Sequence, residues 1–393
     1  MTQPNQNLAT TPSSQRFAIV DILRAYALLG VAIINYTSFR DWDSEHGSRL
    51  DLYLGYIANY VFFRKSALLL SVLFGYGFAV LMDNLKQKGT HVVAFFTKRM
   101  FWLFVIAFVN SCFFEGDILK SYAILGVILL LFNRASNKTI LSGAIFLLVL
   151  VPFSSGYTRF AASMDPVVKV DQLHPLFLSH SMRDVLTYNL TASYVLQFTW
   201  AFYAIFVHQV MLCCFLWGMF IHKIRFVENL RSNKKAILRL FWFSIPAFAL
   251  SAWLTWLTAR SEFLKLYANF FIVSFLCAMV FFATGIMWLH LAGKLKALFK
   301  LMELYGKMTL TNYIMQNVIS FFLFSGAGLG IGGSKPYSFY FILAVIIFIV
   351  QLFLSKYWLS IFNYGPVEFV WRNLSSQKTL PFKKAGQVIR QRA

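Results

Sequence analysis

Residues Phe17–Tyr36 read FAIVDILRAYALLGVAIINY, and this stretch decides the fold. In its 20 residues only Asp21, Arg24 and Asn35 are strongly polar. A helix of that length covers about 30 Å, the thickness of a hydrocarbon core. Nine similar runs follow: Ser66–Met82, Met100–Phe113, Ile118–Phe132, Thr139–Phe153, Tyr194–Ile221, Ile237–Leu257, Tyr267–His290, Met308–Phe324 and Tyr337–Ile361. In lipid every backbone amide needs an internal partner, so runs of this kind become helices. The sequence therefore predicts an all-α polytopic membrane bundle of about ten transmembrane helices. The third, fourth and fifth runs are short; a half-inserted hairpin made of the fourth and fifth would lower the count to eight. Leu50–Phe63 is read as an interfacial or membrane-dipping helix.

Composition agrees. Of the 393 residues 59% are hydrophobic, 18% aromatic and only 13% charged, whereas soluble domains carry about 25% charged residues. A soluble enzyme, a disordered chain and a secreted disulfide scaffold are excluded. The apolar residues run continuously and do not alternate, which argues against a β-barrel. The four cysteines, Cys112, Cys213, Cys214 and Cys277, all sit in apolar runs without a CxxC pair. They read as buried hydrophobes, and no metal-ligand cluster is visible.

The net charge of +21 has a topological reading. With the N-terminus inside, 23 Lys and Arg fall in cytoplasmic loops and tails and 10 outside. That asymmetry follows the positive-inside rule. Both termini are expected in the cytoplasm, and the charge calls for no nucleic-acid partner. Residues 1–15 read as a disordered tail without the features of a cleaved signal peptide, 16–372 as one bundle, and 373–393 as a basic tail suited to anionic lipid.

Ionisable groups inside spans are costly and mark functional candidates. Asp21, Arg24 and Asn35 share one helix face in the first span, with Asp21 and Arg24 spaced to pair; the pair also reads as purely structural. Thr309, Asn312, Gln316 and Ser320 share one face of the ninth span. That face lines a cavity or holds helices together. His208 reads as a helix–helix contact. Glu115 and Asp117 flank Gly116, as a coupled pair or a solvated turn. His46 lies among Arg40, Asp41, Asp43, Glu45 and Arg49 and forms an H-x4-D string with Asp51, as a general base or a surface residue. The glycine-rich stretch 326–333 follows a span and has no strand before it, so it reads as a turn and not a nucleotide loop.

Five segments resemble one family. Val20-Asp-Ile-Leu-Arg-Ala-Tyr-Ala-Leu-Leu-Gly-Val31 with Asn35 resembles the "LDxLRGxALLGI…N" opening of the YeiB-type membrane proteins, whose C-terminal part is called domain of unknown function 418. Ser71–Gly77 is similar to their "LFGxGF" segment, Gly116–Leu119 with Tyr122 to "GDIL..Y", Gly306–Tyr313 with Gln316 to "GRMALTNYLxQ", and Gly365–Arg372 to "GPLEWLWR". The domain signature is expected at about 194–372. Ala25 stands where the family usually has Gly. The opening also resembles that of the heparan-α-glucosaminide N-acetyltransferase family, with an asparagine and a catalytic histidine separated as Asn35 and His46 are here.

That resemblance implies a bacterial-type inner (plasma) membrane acyltransferase. It would move an acyl group from cytoplasmic acetyl-CoA or another acyl-CoA to a small-molecule or glycan acceptor outside. His46, Asn35 and Asp117 are the candidate catalytic residues. Arg24, Asp21, Asn312 and Gln316 are the candidate donor-binding residues, and no metal is expected. The lipid bilayer is the expected surrounding, and a homodimer is a candidate assembly. A solute transporter or channel, or a non-catalytic envelope scaffold, is the alternative.

Overall fold

The first apolar run forms the buried central helix. In a computed structural model describing residues 17–40, 42–43, 47–89, 91–164, 170–200, 202–261, 270–376 and 379–384, Ala18–Thr37 (α1) is enclosed along most of its length. Next come Arg49–Ile57 (α2), Lys65–Gln87 (α3), Val92–Ser111 (α4), Leu119–Leu129 (α5), Asn137–Met164 (α6), Val170–Phe177 (α7) and Met182–Tyr194 (α8). Then follow His208–Lys223 (α9), Lys234–Ala259 (α10), Phe271–Leu291 (α11), Lys296–Lys307 (α12), Thr309–Phe324 (α13), Tyr337–Ile361 (α14) and Pro366–Ser375 (α15). Among the described residues there is no strand, only a single antiparallel bridge between Phe362 and Lys383.

Among the described residues the ten predicted runs are helical along most of their length, and eight helices are long and apolar enough to cross a bilayer. The two short ones are not the expected pair. The fifth run extends to a 28-residue helix, whereas α5 with its closing 3-10 turn ends at Phe132, and α13 has 16 residues. Helices of 14–16 residues cover about 21–24 Å, short of a full hydrocarbon core. Both lie largely within the protein, where neighbouring helices shield their polar groups. The stretch read as an interfacial helix is α2, which continues through a π-helical turn at Ala58–Phe62 into the α3 region.

Glycines set the closest helix approach. A Cβ at Gly75 of α3 would come within 2.0 Å of the Phe215 carbonyl oxygen, and one at Gly218 of α9 within 1.9 Å of the Val72 oxygen. Without Cβ atoms the two backbones pack face to face, as small residues permit in membranes. Lipid-facing side chains are large and apolar: Trp242, Phe243 and Trp253 of α10 are all exposed.

Basic segments gather at one end of the bundle. Lys86 donates to the Asn133 carbonyl at 2.9 Å, Lys223 to the Ala135 carbonyl at 2.8 Å, and the Trp371 indole to the Arg99 carbonyl at 2.9 Å. At the opposite end the Ser338 amide donates to Asp51 at 2.6 Å and His180 Nδ1 lies 3.0 Å from the Gly326 carbonyl oxygen. The alternate loops that the charge pattern separates are therefore also separated in space.

Candidate functional site

A cavity of about 420 Å³ opens at the basic end between α1, α3, α4, α5, α12, α13 and α15. Arg24, Arg99, Lys307 and Arg372 line it together with Asp21 and Glu368. Its inner wall is apolar, with Leu28, Leu70, Leu73, Phe74, Leu103 and Ile118. All five segments that carry the family resemblance contribute to this one cavity. They supply Asp21 and Arg24; Phe74, Tyr76 and Gly77; Ile118, Leu119 and Tyr122; Gly306, Thr309 and Tyr313; and Glu368, Trp371 and Arg372.

Each segment is held by local chemistry. Arg24 Nη1 and Asp21 Oδ1 are 2.9 Å apart, one helical turn removed. Gly77 leaves room for that guanidinium, because a Cβ there would sit 3.3 Å from Arg24 Nη2. Gly306 lets α12 meet the start of α1, where a Cβ would fall 2.0 Å from the Asp21 carbonyl oxygen. Glu368 caps α13: its Oε1 accepts from the Leu310 and Thr311 amides at 2.7 and 3.1 Å, and its Oε2 from the Thr311 hydroxyl at 2.5 Å. A carboxylate at a helix N-terminus also meets the positive end of the helix dipole. Burial pushes the Glu368 pKa up against the pull of those hydrogen bonds. The Arg99 guanidinium lies 3.8 Å over the Trp371 ring, a cation–π contact.

Behind the inner end lies Asp117, in the turn between α4 and α5. It is wholly buried, so the solvated turn is not what forms. Its Oδ1 accepts from Asn110 at 2.8 Å, from the Tyr313 hydroxyl at 3.1 Å and from the Leu119 amide at 3.3 Å. Among the described residues its Oδ2 has no hydrogen-bond partner, nor has Oε1 of the neighbouring Gln197, whose Nε2 donates to the Asp117 carbonyl at 2.5 Å. Burial pushes the Asp117 carboxyl up to about 6, outweighing its hydrogen bonds. Asp117 does not line the cavity itself; Tyr313 lines it and links it to the carboxylate.

The other candidates are dispersed. Asn35 is half-buried near the far end of α1 and outside the cavity lining. His46 lies outside the described residues. Asn312 and Gln316 face away from the cavity into a buried network. Asn312 Nδ2 donates to Ser355 Oγ at 3.0 Å, and Gln316 Nε2 to the Tyr305 hydroxyl at 2.9 Å and Gln351 Oε1 at 3.1 Å. This is the helix-holding alternative for the ninth span. His208 has both ring nitrogens engaged, by Ser121 Oγ at 2.8 Å and the Ala204 carbonyl at 3.1 Å. Asp51 is engaged by the Ser338 amide and the Ser48 hydroxyl. No metal-binding group of three or more His, Cys, Asp or Glu occurs among the described residues.

Sequence reasoning missed Arg99, Tyr313, Glu368, Trp371 and Arg372 as site residues. Arg99 was legible only as a topological charge. The other four stood inside the recognised motifs, where Tyr313 follows Asn312 and Glu368 breaks an apolar helix face.

Residues 221–378 match a family model described as "Protein of unknown function (DUF418)", within and slightly beyond the expected stretch. The uncharacterized protein YxaH of Bacillus subtilis (strain 168) is 25% identical over 419 aligned residues, covering 97% of this chain and all of the relative. The uncharacterized protein YeiB of Escherichia coli (strain K12) is 24% identical, covering 93% of this chain and 98% of the relative. An uncharacterized 39.9 kDa protein of Bacillus acidopullulyticus is 24% identical over 93% of this chain and 96% of its own length. No solved structure matches. With its membrane-spanning helices, its five motifs gathered on one cavity and these relatives along almost its whole length, the chain is similar throughout to the YeiB-type multi-pass membrane proteins and carries the DUF418 match over residues 221–378.

Proposed function

We propose that this protein is an acyltransferase of the bacterial-type inner membrane, taking an acyl group, such as acetyl, from cytoplasmic acyl-CoA for an acceptor on the outer side. One observation carries the reading: a cavity with a cationic mouth and an apolar interior, open at the basic end. The positive-inside rule assigns that end to the cytoplasm. Such a cavity suits a donor with phosphates at one end and a slender, largely apolar arm at the other.

Arg99 and Arg372 would bind the phosphates, as charge-assisted hydrogen bonds favour. Arg24 is held by Asp21, so it shapes the passage and adds positive potential. Tyr313, at the inner end, would turn its hydroxyl from Asp117 to donate to the thioester carbonyl oxygen, and the Asp117 carboxylate behind it would relay the proton that the leaving thiolate takes up. In the transfer the acceptor oxygen or nitrogen bonds to the carbonyl carbon and the carbon–sulfur bond breaks. The acceptor's proton passes to a base and the thiol leaves protonated. His46 remains the candidate base on the acceptor side, and Asn35 the donor to the developing oxyanion.

The test is acyl-CoA binding and thiol release by purified protein. Wild type is compared with Arg99→Gln, Arg372→Gln, Tyr313→Phe, Asp117→Asn and His46→Ala. Loss of binding in the arginine variants and loss of turnover in the others support the reading; absence of acyl-CoA binding in the wild type overturns it. A transporter is favoured by the unpartnered buried acceptors of Asp117 and Gln197, which suit a polar route beyond the cavity. Solute flux that persists without any acyl donor would select it.

A further inference from the structure

At the end of the bundle opposite the cavity, two adjacent cations lie among aromatic rings. Arg64 and Lys65 stand where the π-helical turn gives way to α3. The Arg64 guanidinium lies 5.1 Å from the Phe63 ring centroid, 5.5 Å from Phe271 and 5.8 Å from Phe202. The Lys65 ammonium lies 4.7 Å over Phe275. Lys65 is only 3% exposed. Its nitrogen donates to the Asn59 and Phe63 carbonyls at 2.7 and 3.4 Å. Arg64 Nε is buried without a hydrogen-bond partner among the described residues. Among the described residues no carboxylate pairs with either side chain.

The backbone at Arg64 is strained. Its φ is 60° and ψ −34°, and the Lys65 amide donates to the Phe63 carbonyl at 2.8 Å across it. That is close to the three-residue γ-turn of positive φ, rare for a residue with a side chain. Glycine would hold this turn without penalty. A strained arginine therefore occupies a position where glycine is the cheaper residue, beside a second cation. Two like charges in a poorly solvated aromatic setting repel, and rings offset only part of that cost.

We propose that Arg64 and Lys65 form a binding site for a phosphate group. The guanidinium offers paired donors to phosphate oxygens and the ammonium a second charge. Lys65 immediately precedes the apolar run of α3, which sets the site near the level of lipid head groups, while Phe63, Phe202, Phe271 and Phe275 provide apolar walls. The phosphate is presented by a phospholipid or by a soluble phosphate ester.

The test uses the full chain purified in neutral detergent. Thermal unfolding is followed with short-chain phosphatidylglycerol, short-chain diacylglycerol, glycerol phosphate and inorganic phosphate. The variants are Arg64→Gly, which fits the turn, and Lys65→Met, which keeps an apolar stem. Saturating phosphatidylglycerol is expected to raise the wild-type midpoint by about 3 °C, with no shift from diacylglycerol. Both variants should lose most of that shift while Arg64→Gly unfolds no earlier than wild type without ligand. A shift from glycerol phosphate or inorganic phosphate of equal size assigns the site to soluble phosphate. No phosphate-dependent shift in the wild type, or one undiminished in both variants, overturns the proposal. Should one variant fail to fold, the other decides.

Discussion

Replacing Asp117 by Asn separates a structural carboxylate from a working one. The side chain keeps its shape, and an amide oxygen in place of Oδ1 still accepts from Asn110, Tyr313 and the Leu119 amide. The amide nitrogen takes the place of Oδ2, which has no donor among the described residues. Burial raises the Asp117 carboxyl from an ordinary 3.8 to about 6. The folded protein therefore binds this proton more tightly than the unfolded chain. The stability from this group is complete below about pH 4 and is lost as pH rises to 6, a change of about 3 kcal/mol. The Asn variant carries no such loss. At pH 7 it should unfold about 4 °C above wild type, and near pH 4 the two should coincide. Differential scanning fluorimetry in detergent across pH 4–7.5 reads this directly. If Asp117 relays the proton, the same variant loses at least about 100-fold in acyl transfer. A variant less stable than wild type at pH 7 would refute the electrostatic reasoning, because the ionised carboxylate would then be holding the fold.

Arg99→Gln and Arg372→Gln should each weaken acyl-CoA binding by about 10- to 100-fold, and the wild-type affinity should fall with salt; isothermal titration at two ionic strengths checks both. Gly306→Ala places a Cβ 2.0 Å from the Asp21 carbonyl oxygen, so α1 and α12 must separate at a cost of about 1–3 kcal/mol, read as a lowered unfolding midpoint and weaker donor binding. Glu368→Ala strips the cap from the Leu310 and Thr311 amides and should cost about 2 kcal/mol, whereas Glu368→Gln retains an acceptor oxygen and should cost less. Asn312→Leu should lower stability through the unpaired Ser355 hydroxyl while leaving donor affinity within about twofold, since Asn312 does not line the cavity.

The spans were legible because bilayer thickness and backbone hydrogen bonding leave a long apolar run only one structure. The alternation of basic loops likewise follows from residue charges alone. Asp21 and Arg24 could be paired on paper, since their three-residue spacing sets the distance within one helix. Sequence could not settle which way the ninth span is turned. Thr309 and Tyr313 meet the cavity while Asn312 and Gln316 meet Ser355, Tyr305 and Gln351, and all four belong to one 16-residue helix. Its rotation is fixed by Glu368 from a helix more than fifty residues away and by the polar partners of α14. Burial of Asp117 was hidden for the same reason, because a turn between helices becomes dry only when other segments close over it. The apolar pattern determined which segments enter the membrane; side-chain packing between distant segments decided which polar groups face a cavity, because helix rotation is a property of the neighbours and not of the helix.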